Sequence, residues 1–175
     1  GSKVLEIGCH SGATSYALAA NGAKSVTGSE FSGYKVQSIQ TKNEVFEKKL
    51  NEVNEDLKTI RKGLYPMFDN GDKVEFVEDD ICNSKLEMNS YDMICSWEVL
   101  EHLHDTEKAF QATYNLLNEN GFAIHHYNPF FCLNGGHSLC TLDFLWGHTR
   151  LNTIDFEKYV STLRPLEQEK AVSFF

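Results

Sequence analysis

The sequence predicts an α/β protein built on a parallel sheet, and three features near its beginning support this. A short apolar run at residues 4–7 ends at Gly8. Helix-forming residues then follow Gly12 until the turn at Asn21. A second short run ends at Glu30 and completes a strand–helix–strand unit. Strands joined in this way pair in parallel through a right-handed crossover, so this unit alone favours the α/β class.

Strands and helices continue to alternate along the rest of the chain. Apolar residues at steps of three and four predict a long amphipathic helix over residues 34–64, which lies on its own sheet or forms a seam for a partner or a second copy. Residues 128–152 have no clear period, which is typical of a loop that carries function. The other predicted elements are strands at 74–77, 93–95 and 122–127, helices at 106–118 and 155–163, and a final strand at 171–175.

Composition limits the class of protein. The 175 residues, 41% of them hydrophobic, suffice for one core, so we expect a single domain over residues 1–175. The net charge of −9 makes binding to nucleic acid unlikely. No stretch approaches the roughly 18 apolar residues of a membrane span, and no signal peptide precedes the first strand, so we expect no membrane association and a cytoplasmic protein. The five cysteines contain no C-x-x-C pair and are expected to be reduced thiols.

The turn from Gly8 to Gly12 follows the first strand, where open α/β sheets bind their ligands. Glu30 ends the second strand, 18 positions after Gly12. A carboxylate at this distance can accept hydrogen bonds from both hydroxyls of a ribose. The turn and the acid together predict a ligand of the adenosine type.

Four segments carry a more specific signal when they are taken in order. They read VLEIGC from Val4, FVEDDI from Phe76, YDMICSWEVLEH from Tyr91 and LLNENGF from Leu116. This series resembles the class I S-adenosylmethionine-dependent methyltransferases over residues 3–129. The resemblance implies a Rossmann-like three-layer sandwich with a mostly parallel central sheet, and S-adenosylmethionine as the cofactor.

The resemblance also implies roles for individual residues. The ribose would lie on Glu30 and the adenine on Asp80 and Ile81, while Ser96 and Trp97 would face the methionine part. The residues implied to contact the cofactor are Glu6, Gly8, Cys9, His10, Gly12, Glu30, Phe31, Asp80, Ile81, Ser96 and Trp97.

Two features depart from the family pattern. His10 stands where the family usually has glycine, and we expect the turn to accept its side chain pointing away. The chain begins at strand one and ends at or inside strand six, so we expect a piece of a larger protein that lacks the N-terminal helical cap and the last strand. If cofactor binding has instead decayed, the chain is a non-catalytic methyltransferase-like binding domain, an alternative that His10 and the helix at 34–64 support.

We expect methyl transfer to a small-molecule acceptor, with residues 128–152 as the acceptor-side loop. His125 and His126 fall on opposite faces of a strand, so at most one of them can point at the site. His126 follows the carboxyl end of strand five, where a general base could reach an acceptor. His102 is the second catalytic candidate, expected to brace the loop beside the cofactor.

A metal-dependent RNA 2′-O-methyltransferase is the remaining alternative. Glu98, Glu101 and His102 have the spacing of one helical face, and their chemistry suits Mg²⁺, Mn²⁺ or Fe²⁺. The pattern resembles the E-x-x-E-H of that enzyme class, for which His137 or His148 would add a ligand. We expect no metal, because the string Glu-Val-Leu-Glu-His also occurs in metal-free class I members and the net charge disfavours RNA.

Overall fold

The computed structural model describes residues 1–32, 44–129, 131–132 and 142–174. The elements in chain order are β1 (Lys3–Ile7), α1 (Ala13–Ala20), β2 (Ser25–Glu30), α2 (Glu44–Leu64), β3 (Val74–Glu78), β4 (Tyr91–Trp97), α3 (Thr106–Leu116), β5 (Leu117–His126), α4 (Gly147–Arg150), α5 (Thr153–Leu163) and α6 (Gln168–Phe174). Short 3₁₀ turns lie at Tyr65–Met67, Gly71–Lys73, Ile81–Asn83, Leu100–His102 and Pro165–Glu167. The chain divides into two compact units, Gly1–His126 and Tyr127–Phe175.

The first unit is built on one parallel sheet with the strand order β3-β2-β1-β4-β5. The central strand β1 is buried from Val4 to Ile7, as expected for a parallel strand covered on both faces. The strand order reverses between β1 and β4, and open α/β sheets bind ligands outside the carboxyl ends of the strands at such a point. The predicted α/β class and parallel sheet are confirmed.

Alternate residues of β1 enter two cores on opposite faces of the sheet. Val4 packs in a cluster with Ala19 of α1 and with Val26. Leu5 packs in a second cluster with Ala109 and Leu116 of α3. Helices therefore cover both faces of the sheet, which gives the predicted three layers.

Helix α2 occupies the second part of the long predicted helix, and residues 33–43 lie outside the described residues. Leu57 is buried, and the hydroxyl of Tyr16 in α1 donates to the carbonyl of Arg61 over 3.1 Å. At these positions α2 packs on its own unit. Association of this helix with a partner or a second copy stays a prediction.

The second unit contains α4, α5 and α6 around a small core of Leu142, Phe156, Val160 and Ala171. The predicted strand at 171–175 is wrong, because its described residues form the end of α6. The helix-forming residues from Gln168 onward carry the helix into this short apolar run, whose period alone could not distinguish the two structures. The expectation that the chain ends in a sixth strand fails for the same reason. Within the predicted loop at 128–152, residues Gly147–Arg150 form the short helix α4, and residues 130 and 133–141 lie outside the described residues.

None of the helices in the described ranges is both long and apolar enough to span a bilayer.

Candidate functional site

A cavity of about 260 Å³ lies in the first unit, where β1, β2, β3 and β4 end. Its walls come from the turn after β1, from the end of β2 and from the segments that follow β3 and β4. The lining residues are Ile7, Gly8, His10, Glu30, Phe31, Asp79, Asp80, Ile81, Trp97, Glu98, Val99, His102, Leu103 and His104. Seven of the eleven residues predicted to contact the cofactor therefore meet at one place: Gly8, His10, Glu30, Phe31, Asp80, Ile81 and Trp97.

The turn after β1 needs left-handed backbone at three positions. The φ angles are 69° at Gly8, 44° at His10 and 78° at Gly12. A Cβ atom at Gly8 would overlap the side chain of Val99, and one at Gly12 would overlap the ring of Phe76. Glycine at positions 8 and 12 therefore allows both the left-handed backbone and the close approach of a neighbouring side chain. His10 adopts the left-handed backbone although it carries a side chain.

Glu30 holds this turn from the end of β2. Its Oε2 atom accepts a hydrogen bond of 2.6 Å from the backbone N–H of His10. Glu30 is buried, with 9% of its surface exposed, and it also lines the cavity. One carboxylate thus orders the turn and presents acceptor oxygen atoms to a ligand.

Arg61 of α2 holds the same turn from the other side and was missed from the sequence. Its guanidinium donates to the carbonyl of His10 from Nε over 3.0 Å and from a terminal nitrogen over 2.7 Å. The guanidinium also lies 4.2 Å from the centre of the Phe76 ring. No sequence signal could have indicated this contact, because 51 positions separate the two partners and α2 shows only a helical period.

Asp80 and Ile81 stand at the carboxyl end of β3. The Oδ1 atom of Asp80 accepts from the N–H of Cys82 over 3.0 Å and so caps the 3₁₀ turn Ile81–Asn83. The neighbouring Asp79 accepts from the N–H of Lys85 over 2.9 Å, and its Oδ2 atom is buried without a hydrogen-bond partner among the described residues. This wall of the cavity is therefore rich in carboxylate oxygen atoms.

Four predicted cofactor residues do not line the cavity: Glu6, Cys9, Gly12 and Ser96. Glu6 accepts a hydrogen bond from the hydroxyl of Ser15, and burial raises the pKa of its carboxyl group. Burial also raises the pKa of the Cys9 thiol, to about 12. Gly12 allows the approach of Phe76 beneath the turn. Glu6, Cys9 and Gly12 are all buried, so they belong to the packing of the turn and not to the wall of the cavity.

Ser96 is fully buried at the end of β4, beside β5. Its hydroxyl lies 2.7 Å from Nδ1 of His125, whose ring stacks edge to face with Phe110 of α3. Burial lowers the pKa of His125, which favours the neutral imidazole. Ser96 is therefore engaged inside the sheet.

His126 points to the opposite side from His125, as the strand period predicted. Its Nδ1 atom lies 2.7 Å from Oε1 of Glu98, and the N–H of Glu98 donates to the carbonyl of His126 over 2.8 Å. Glu98 lines the cavity, and its backbone is left-handed with a φ of 55°. A strained residue thus directs a carboxylate toward an imidazole beside the cavity.

The expectation that Glu98, Glu101 and His102 share one helical face is wrong. The only helical structure at this position among the described residues is the 3₁₀ turn Leu100–His102, which follows the left-handed Glu98. The side chains therefore cannot have the i, i+3, i+4 arrangement of an α-helix. His102 lines the cavity.

A metal ligand from His137 or His148 stays a prediction. His148 is buried within the second unit, and His137 lies outside the described residues. A different group, Asp80, Cys82 and His104, has three ligand atoms within 4.8 Å of one another, and it alone does so in the ranges that the structure describes.

Comparison with known proteins agrees with the fold. A family model described as a methyltransferase domain matches residues 1–144. The chain belongs to the methyltransferase domain family. The resemblance to the class I S-adenosylmethionine-dependent methyltransferases is therefore confirmed, and this membership implies S-adenosylmethionine as the cofactor. A search of curated protein sequences finds no significant match.

Solved structures show the same fold at low sequence identity. An S-adenosylmethionine-dependent methyltransferase from Mesorhizobium loti is 16% identical with a TM-score of 0.56, and the match covers 77% of this chain and 50% of that one. A proposed methyltransferase from Methanococcus maripaludis is 25% identical with a TM-score of 0.51, covering 71% and 47%. The [4+2]-cyclase SpnF is 16% identical with a TM-score of 0.51, covering 70% and 37%. The match to this chain thus spans half or less of the length of these proteins.

The residues around the cavity fit S-adenosylmethionine chemically. The Glu30 carboxylate can accept from the vicinal hydroxyls of a ribose, and the carboxylates of Asp79 and Asp80 can accept from an amino group. The orphaned Oδ2 atom of Asp79 is a buried acceptor at the same wall.

Proposed function

We propose that the chain transfers a methyl group from S-adenosylmethionine to a small-molecule acceptor. The single observation that carries this proposal is the convergence of Glu30, Asp80 and Ile81 on one cavity at the carboxyl ends of the strands. The match of the family model to residues 1–144 crosses the boundary at His126, which supports a methyltransferase domain that continues past the first unit. Its extension to residue 175 is part of the proposal.

The charge of the chain supports a small acceptor over a nucleic acid. The cavity of about 260 Å³ is assigned to the cofactor, so the proposal of a small acceptor rests on charge. The net charge of −9 opposes the phosphate backbone of RNA. The metal-dependent RNA reaction has less support, because the carboxylate of Glu98 is directed at His126.

When bound, S-adenosylmethionine supplies an activated methyl group on its sulfonium centre. The protein then mainly contributes position, because in-line transfer needs the acceptor held close to the methyl carbon. Glu30 would fix the ribose, and Asp80 with Ile81 would fix the adenine, so the methionine end would extend toward Trp97. These residues are proposed to set the direction in which the methyl group faces.

His126 is the proposed general base for a hydroxyl or other protonated acceptor. With the Glu98 carboxylate 2.7 Å from Nδ1, the neutral tautomer that carries its proton on Nδ1 would have Nε2 able to accept one. His126 is exposed, with 65% of its side chain accessible, so an acceptor can reach it. His102 lines the cavity and is proposed to shape the wall beside the cofactor.

The experiment is a methyl-transfer assay with S-adenosylmethionine labelled on its methyl group. Pools of small metabolites, RNA and protein are offered separately, each with and without EDTA. We expect label in the small-metabolite pool, unchanged by EDTA, and a loss of at least about tenfold in His126→Gln at unchanged cofactor affinity. Label in RNA that needs added Mn²⁺ would contradict the proposal. Binding of cofactor without transfer to any pool would indicate the non-catalytic binding domain.

A further inference from the structure

Asp80, Cys82 and His104 combine three kinds of metal ligand at one wall of the cavity. A carboxylate oxygen, a thiol sulfur and an imidazole nitrogen lie within 4.8 Å of one another. Asp80 and His104 line the cavity, whereas Cys82 is buried behind them. The proposed contacts of the cofactor and the proposed base do not include Cys82 or His104.

The backbone around these residues is held by named contacts. Asp80 caps the 3₁₀ turn that contains Cys82, through the 3.0 Å bond between its Oδ1 atom and the Cys82 N–H. The thiol of Cys82 donates to the carbonyl of Asp105 over 3.2 Å, which ties this turn to the segment that carries His104. The two loops that supply the ligands are therefore joined before any ion arrives.

The distances suit a tetrahedral ion after small side-chain rotations. Zinc binds sulfur at about 2.3 Å and nitrogen or oxygen at about 2.0–2.2 Å, which places ligand atoms about 3.3–3.8 Å apart. A closing movement of about 1–1.5 Å from 4.8 Å meets this requirement. A thiolate with imidazole and carboxylate favours Zn²⁺ over Mg²⁺ or Ca²⁺, which prefer oxygen ligands alone.

The charges nearby also favour a cation. Asp79 lines the same wall and has a buried Oδ2 atom without a hydrogen-bond partner among the described residues. The neighbouring lysine, Lys108, forms an ion pair of 2.9 Å with Asp105. Its charge is therefore partly balanced.

We propose that Asp80, Cys82 and His104 bind Zn²⁺ and that the bound ion excludes the adenine end of the cofactor. On binding, the thiol of Cys82 releases its proton to solvent and the sulfur forms the bond to the metal. The ion binds the Asp80 carboxylate, which the adenine would also need, so metal and cofactor compete. The metal site stands on the geometry alone, and only the competition rests on the proposed function.

The metal site is tested by titration of the full chain with Co²⁺, followed by displacement with Zn²⁺. We expect one Co²⁺ per chain, with a thiolate-to-metal absorption band that Zn²⁺ removes. Cys82→Ser should lose this band, and His104→Gln should bind at least about tenfold more weakly. Cys132→Ser is the control, because it removes a less buried thiol of the second unit and should keep the band. A band that survives in Cys82→Ser, or no band in the unmodified chain, would overturn the proposal.

Competition is tested by calorimetric titration with S-adenosylhomocysteine at increasing Zn²⁺. At a free Zn²⁺ concentration of about one hundred times its Kd, the apparent Kd of S-adenosylhomocysteine should rise about 100-fold. Cys82→Ser should bind S-adenosylhomocysteine normally and lose this dependence. Binding of both without mutual effect would refute competition. If the chain binds the metal but not S-adenosylhomocysteine, the proposed function is contradicted and the metal site is supported. If it binds S-adenosylhomocysteine but not the metal, the metal site is contradicted and the proposed function is supported.

Discussion

Replacing Glu30 with glutamine tests the anchor on which the cofactor site depends. Glutamine keeps an oxygen atom that can accept from the N–H of His10, now at 2.6 Å, so the turn should survive. The negative charge facing the ribose is lost. A hydrogen bond to a charged group contributes about 1.5–3 kcal/mol, and Glu30 is buried enough for this range to apply. Because the neutral hydrogen bonds of glutamine still contribute about 0.5–1.5 kcal/mol, the difference of about 1–1.5 kcal/mol corresponds to about 5- to 13-fold weaker binding of S-adenosylhomocysteine.

Isothermal titration calorimetry measures this affinity directly. Glu75→Gln is the matched control, because it makes the same change of charge at an exposed position of β3 that does not line the cavity. The control should bind S-adenosylhomocysteine like the unmodified chain. Glu30→Ala should bind more weakly than Glu30→Gln, because it also releases the turn. An unchanged Kd in Glu30→Gln, with thermal unfolding also unchanged, would refute the assignment of Glu30 to the ribose.

Three further outcomes are expected. Arg61→Ala removes both hydrogen bonds to the His10 carbonyl and should weaken S-adenosylhomocysteine binding about tenfold, with unchanged circular dichroism. Arg61→Lys should recover part of the lost affinity. Equal affinities in all three chains would show that the turn does not need Arg61. Asp80→Asn keeps a capping oxygen but turns an amide donor toward the adenine. Calorimetry should therefore show a reduced preference for S-adenosylhomocysteine over its hypoxanthine analogue. An equal loss of affinity for both ligands would indicate a folding defect. Because burial lowers the pKa of His125, the unfolded chain takes up the proton first as pH decreases, and the free energy of unfolding should fall below about pH 6.5. Urea unfolding at several pH values should show a smaller fall in His125→Gln. Parallel profiles for the two chains would contradict this.

The sequence indicated the sheet and most of the cavity because both depend on local patterns. The apolar run at Val4–Ile7, the glycines of the first turn and the acid at Glu30 each follow from backbone requirements that a few neighbouring residues express. The position of Asp80 after β3 follows from the shared edge at which parallel strands end. Such features are visible without tertiary information.

The remaining features depend on distant partners or on packing that has no local pattern. Arg61 reaches the turn from 51 positions away, and the pairing of Glu98 with His126 requires the register of β4 against β5. The spacing after β4 suggested a helical face, but the left-handed backbone at Glu98 ends that possibility. The apolar run from Ala171 is short enough to form either a strand or a helix. In the structure it is the end of α6, and Ala171 packs in a cluster with Phe156 and Val160.

A crystal structure of the chain with S-adenosylhomocysteine tests the central claim most directly. We predict ribose hydroxyls on the carboxylate of Glu30, adenine against Asp80 and Ile81, and the sulfur directed toward Trp97. A complex in which the nucleoside lies elsewhere, or a chain that fails to bind S-adenosylhomocysteine at millimolar concentration, would contradict the assignment of this cavity.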